Sequence, residues 1–237
     1  MRVLLPVVSC AAVLLVSACG DDSKSKSKSA SNAAATRIDA GEARLIGLHE
    51  QALSLRAQGK NAEALKSFDE LIVLAPSDLR VHFNRAVVLA ELDRNAEALA
   101  VYDDLLRKTP NDPQLFQNRA AVLNALGRSE EALIEVDRAM QGLAESPELR
   151  VLRGAVLVKL ARYDEALAEF DRADPLLAAR PPEAQRSKFA AEALLHRGEA
   201  LEALGRAAEA APIFERLRTQ FQGNAPVEAM LRERGRL

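Results

Sequence analysis

One eight-residue segment returns along this chain at a fixed interval. NAEALKSF begins at Asn61, NAEALAVY at Asn95, SEEALIEV at Ser129, YDEALAEF at Tyr163 and AAEAAPIF at Ala207. The intervals are 34, 34, 34 and 44 residues. A unit of that length, apolar at helical spacing, cannot cover its own hydrophobic face. It must stack on its neighbours and share a core with them. The expected fold class is therefore all-α, a solenoid of about five helical hairpins.

The register of the repeat fills in the detail. A small residue stands at position 8 (Ala52, Ala86, Ala120, Gly154, Gly198), and a larger one at position 24 (Phe68, Tyr102, Val136, Phe170, Phe214). Turn-forming positions recur at Gly59, Asp93, Gly127, Ala161 and Gly205, and Pro76 and Pro110 close two of the units. This pattern resembles the tetratricopeptide-repeat family over residues 43–226, although the tryptophan usual at position 4 is missing from every unit. The resemblance implies a right-handed α-α superhelix with a concave inner face. The repeats fall at about 45–78, 79–112, 113–146, 147–180 and 191–224, with an insertion near 174–190. Expected helix pairs are 43–57/61–74, 79–92/95–108, 113–126/129–141, 147–160/163–173 and 183–204/207–221. The first helix of the fifth pair is then about two turns too long, and residues 227–237 form a capping helix after Pro226.

An arginine shares the period. Position 7 reads Gln51, Arg85, Arg119, Arg153, Arg197, and position 25 is always acidic: Asp69, Asp103, Asp137, Asp171, Glu215. Only the first repeat, which has no predecessor, lacks the arginine. The expected pairing therefore runs between repeats, as a ladder of Asp69–Arg85, Asp103–Arg119, Asp137–Arg153 and Asp171–Arg197. A planar guanidinium suits a bridge between two helices. Glu215 has no sixth repeat to answer it, and the arginines of the capping helix are its expected partners.

The first residues belong to something else. After Arg2, Val3 to Val16 is a mostly apolar run of fourteen residues, short of the roughly 20 that span a bilayer as a helix. It ends in Val16-Ser17-Ala18-Cys19, which resembles the lipobox of bacterial lipoproteins. That resemblance implies a signal peptide over 1–18 and a lipid on Cys19. An ordinary cleaved signal and an uncleaved apolar N-terminus are the alternatives. Residues 19–42, rich in Ser and Lys, have no face to bury and are expected to be a flexible tether. The reading places the protein in the cell envelope, facing the periplasm, with outer membrane favoured because Gly20 rather than aspartate follows the cysteine.

Several functions are disfavoured. With 32 basic against 34 acidic residues and 4% aromatics, the chain lacks the basic, base-stacking footprint of a nucleic-acid binder. His49, His82 and His196 sit at different repeat positions, and HExxH, CxxC, GxSxG and a phosphate loop are all absent. No enzyme, metal site or cofactor is expected. A partner protein or peptide is, in the groove that the resemblance implies: Arg80, Phe83, Asn84, Val87, Gln114, Gln117, Asn118, Asn124, Val151, Leu152 and Val158, centred on repeats two to four. Val151, Leu152 and Val158 alternatively pack against neighbouring helices. The carboxylate-clamp subtype does not fit, since of its residues only Asn84 is present. An adaptor for an envelope protease or peptidoglycan enzyme is the alternative role, and a cytosolic scaffold is the alternative if the N-terminus is not processed.

Overall fold

The computed structural model describes residues 24–143, 146–181 and 188–236. Among them every regular element is a helix: α1 (Lys24–Ala57), α2 (Asn61–Leu74), α3 (Leu79–Glu91), α4 (Asn95–Lys108), α5 (Pro113–Ala125), α6 (Ser129–Gly142), α7 (Pro147–Lys159), α8 (Tyr163–Ala178), α9 (Lys188–Ala203), α10 (Ala207–Gln220) and α11 (Ala225–Glu233). Residues 1–47 and 48–237 are separate compact units. The signal peptide, Cys19 and the stretch 183–187 expected to lengthen the first helix of repeat five lie outside the described residues.

The expected tether is helical from Lys24 onward. Residues 24–40 contain neither proline nor glycine and are rich in Ala and Lys, good helix formers. Once residues 48–57 are helical, extending the helix costs little, because propagation lacks the penalty of nucleation.

In the second unit, successive helices pack as antiparallel hairpins, α3 with α4, α5 with α6, α7 with α8 and α9 with α10. Local chemistry sets their ends. Asp78, Asp112 and Ser146 cap the first helices of repeats two to four, their side chains accepting from the backbone N–H of Arg80, Gln114 and Leu149. Pro113 and Pro147 follow at the first helical position, where a missing N–H loses nothing. At each turn inside a hairpin the backbone is left-handed: Gly59, Asp93, Gly127, Ala161 and Gly205 all have φ between 57° and 77°. Ala161 is the costly member, since its Cβ crowds the following carbonyl. Ala161→Gly is expected to stabilise the fold by about 0.5–1 kcal/mol and raise Tm by roughly 2–4 °C, read by circular dichroism.

The core follows the repeat register. Ala52, Ala86, Ala120, Phe68, Tyr102, Val136 and Phe170 are all at most 1% exposed. Gly154 and Gly198 show why position 8 must be small. A Cβ on either would lie 2.5 Å from the ring of Phe170 or Phe214.

Two expectations are corrected. Helix α8 passes through Pro175 to Ala178 rather than ending at 173. Proline costs about 3 kcal/mol inside a helix, but the extra turn carries Leu177 into the cluster of Val151, Phe170, Ala173 and Ala193. Helix α11 is more than a solvating cover. It starts at Ala225 behind the cap of Asn224 and buries Val227 and Leu231. Its contacts with α9 fall one repeat apart in sequence, Arg234 to Glu199 and Arg236 to Glu202. That is the separation at which Lys159 meets Asn124 and Arg56 meets Glu91. Helix α11 thus occupies the first-helix place of a sixth repeat. From there its arginines reach Glu199 and Glu202 instead of Glu215, which pairs with Arg218 on its own helix.

Candidate functional site

The arginine ladder is continuous. Arg85 Nε donates to Asp69 at 2.6 Å, Arg119 Nε to Asp103 at 2.7 Å, Arg153 Nε to Asp137 at 2.9 Å, and Arg197 reaches Asp171 at 2.7 Å. Arg197 also donates to Asp174. The carboxylates are 41–62% exposed and the arginines 19–23%, so each rung is half solvated. Such a pair fixes register more than it stabilises.

Two further sets of charges were missed in the sequence. Arg119 and Arg153 turn their other side to Glu135 and Glu169, both at 3.1 Å, and these two glutamates are 4% and 3% exposed. They share position 23, where the remaining repeats have Ser67, Val101 and Ile213, so no periodic signal marked them. The second set is periodic. Arg94, Arg128, Arg162 and Arg206 each stand just before a second helix and make a two-pronged pair with the glutamate three residues on, all at 2.7 Å. The hydrogen-bonding guanidinium holds Glu97, Glu131, Glu165 and Glu209 below the ordinary carboxylate value. The Arg-x-x-Glu spacing was available as a clue.

A groove of about 720 Å³ runs over the first helices of repeats three to five. Its floor is Leu152, Ala155 and Leu195, its near rim the amides of Gln117, Asn118 and Asn124, and its far side Glu192 and His196. Helix α11 supplies one wall with Met230, Glu233 and Arg234. Asn118 Nδ2 donates to the Gln114 carbonyl at 2.8 Å, and Lys159 Nζ to the Asn124 carbonyl at 2.5 Å. Burial and the neighbouring Arg234 both press the Lys159 ammonium below its ordinary value. Burial alone would raise the Glu199 carboxyl, but the His196 hydrogen bond and the charges of Arg234 and Arg236 hold it low.

The sequence-chosen groove residues separate. Arg80, Phe83, Asn84 and Gln114 line a second, smaller hollow of about 320 Å³ with His49. There Asn84 Nδ2 lies 3.2 Å from His49 Nε2, and Phe83 meets Tyr102 edge-to-face. Asn84 is therefore engaged with the preceding repeat. Val87 is half-buried and lines neither hollow. Val151 is 3% exposed in the core of repeat four yet its remaining surface lines the groove, and Val158 packs against the two adjoining core clusters. For Val158 the packing alternative holds, because its place on the first helix turns into the stack. Leu152 reaches the groove while packing beside Phe116, Met140 and Leu143. The groove's centre thus lies about one repeat beyond the expected one, where α11 adds its wall.

The three histidines are each engaged locally, His49 with Asn84, His82 with the Pro76 carbonyl and His196 with Glu199. Among the described residues no group of three or more His, Cys, Asp or Glu is placed to hold a metal ion, and no helix is long and apolar enough to cross a membrane.

Profiles of the tetratricopeptide repeat match residues 49–113 and 192–223. Those two segments are tetratricopeptide repeats. Solved structures of that fold superpose on this chain at low sequence identity. A thermophilic tetratricopeptide protein of Thermus thermophilus gives a TM-score of 0.63 at 20% identity, covering 80% of this chain and 97% of its own. MamA of Desulfovibrio magneticus RS-1, from residue 41 to its end, gives 0.57 at 18% identity, covering 74% and 94%. A comparison with curated protein sequences found no match. The repeat fold is that of a protein-interaction scaffold.

Proposed function

We propose that this chain is a non-enzymatic scaffold of the bacterial cell envelope, tethered to a membrane by a lipid on Cys19, that holds a protein or peptide partner in the groove of repeats three to five. The groove carries this reading. An apolar floor at Leu152, Ala155 and Leu195 beside the amides of Gln117, Asn118 and Asn124 offers aliphatic side chains an apolar surface and an extended backbone a row of donors and acceptors. The tether rests on the Val16-Ser17-Ala18-Cys19 sequence. Gly20 after the cysteine favours the outer membrane, with the repeats facing the periplasm. Metabolic labelling with a palmitate analogue tests the anchor. The wild type is expected to take the label and Cys19→Ala to lose it. An unlabelled wild type, or a label that survives the substitution, removes the envelope assignment while leaving the groove untouched.

A further inference from the structure

A third cavity, a cleft of about 840 Å³, opens where the end of α4 passes to the start of α5 beside α6. Phe116, Arg119, Glu135 and Arg138 line its inner part. Glu135 is 4% exposed, and its Oε1 is shared by Arg119 at 3.1 Å and Arg138 at 3.0 Å. Its Oε2 has no hydrogen-bond partner. A buried carboxylate oxygen left unpaired is expensive, and the fold does not demand this one, since Ser67, Val101 and Ile213 fill the same position in three other repeats.

The next repeat shows what is missing. Glu169 is the counterpart of Glu135, and its Oε2 accepts from Arg150 at 3.4 Å while Arg153 and Arg172 share Oε1. Arg150 stands at position 4 of its repeat, and position 4 of the preceding repeat is Phe116. Repeat three therefore keeps the carboxylate and its two flanking arginines but replaces the third guanidinium with an aromatic ring. Arg138 already lies 5.9 Å from that ring's centroid, so the ring accepts a cation over its face.

We propose that this cleft receives an arginine side chain from a protein partner, its guanidinium bonding Glu135 Oε2 and stacking on Phe116, in the role Arg150 plays one repeat further on. Arg138, whose side chain is 55% exposed, is the group that moves to admit it. A planar guanidinium matches both the carboxylate and the ring, which an ammonium does less well. The site is separate from the groove, and its failure would leave the groove reading standing.

The test is an NMR titration of the ¹⁵N-labelled full chain with N-acetyl-arginine amide, with the uncharged N-acetyl-citrulline amide as control. Arginine amide at millimolar concentration is expected to move the resonances of Phe116, Glu135 and Arg138 saturably, and citrulline amide to leave them in place. Phe116→Arg supplies the third guanidinium from within. It should fold, melt no lower than the wild type and bind arginine amide at least about tenfold more weakly, as loss of a charge-assisted hydrogen bond implies. Glu135→Gln should weaken binding similarly. Absence of shifts in the wild type, equal shifts with citrulline amide, or unchanged binding in Phe116→Arg would each overturn the proposal.

Discussion

Phe170→Ala is expected to destabilise the fold by about 3–5 kcal/mol, the range for deleting a buried aromatic ring from a packed core. Phe170 is 1% exposed and its ring fills the space left by Gly154, which a Cβ would enter to 2.5 Å from Cε1. No side chain opposite can collapse into the void, because the facing residue is a glycine on a helix backbone. In a stacked array, each repeat leans on its neighbours. Damage at repeat four should therefore separate the melting of repeats one to three from that of repeat five, giving a broadened transition with its main midpoint roughly 10 °C lower. Gly154→Leu should do at least as much harm by overfilling the same contact. Gly154→Ala should be milder but still destabilising, because its Cβ would stand 2.5 Å from the buried Phe170 ring, which must shift. Alanine recovers up to about 1 kcal/mol of helix propensity over glycine, which offsets part of that cost. Thermal melts followed by circular dichroism check all three. A Phe170→Ala protein melting with the wild type would mean that the ring does not hold the hairpin together.

Leu152→Asn is the counterpart for function. Position 6 is Asn84 and Asn118 in repeats two and three and Leu152 in repeat four, so the substitution makes repeat four resemble its predecessors. Leu152 is only partly buried, at the edge of the cluster of Ala120, Val136, Ala139 and Leu149. The stability cost should stay near 1 kcal/mol, below that of deleting a fully buried leucine. Its place on the groove floor gives it the larger role in binding. Interfaces concentrate their energy in a few central, desolvated contacts, so loss of this anchor should cost about 2 kcal/mol of partner affinity, roughly thirtyfold in Kd. Calorimetry with the captured partner measures it. Unchanged affinity would place the anchor elsewhere on the groove floor.

The fold was legible because it is periodic. Helix bounds, the left-handed turns at Asp93 and Ala161, the core at positions 8 and 24 and the Asp-to-Arg ladder recur from repeat to repeat, at 34 residues and once at 44, so each was sampled four or five times. Features that occur once or twice were hidden. Glu135 and Glu169 broke no pattern because position 23 has no pattern. Helix α11 is nine residues long and lacks the position-7 arginine, Leu231 standing there instead, so its place as a sixth first helix emerged only from its contacts with α9. Helix α8 continued through Pro175 because of Leu177, a tertiary contact that local sequence does not announce. The groove was half legible. Position alone marked Gln117, Asn118, Asn124 and Leu152. It also marked Val151, which lines the groove from the core, and Val158, which does not, because a helical wheel cannot say whether a first-helix valine turns into the groove or into the neighbouring repeat.

The central claim is that the partner lies in the groove of repeats three to five. Site-specific photo-crosslinking in living cells tests it most directly, with a benzophenone side chain placed at one exposed alanine at a time. Ala121 and Ala229 line opposite sides of the groove, whereas Ala100 and Ala168 are exposed on second helices away from it. The account predicts one discrete adduct of the same mass from Ala121 and from Ala229, and none from Ala100 or Ala168. An adduct formed at Ala100 or Ala168 and missing from both groove positions would contradict it.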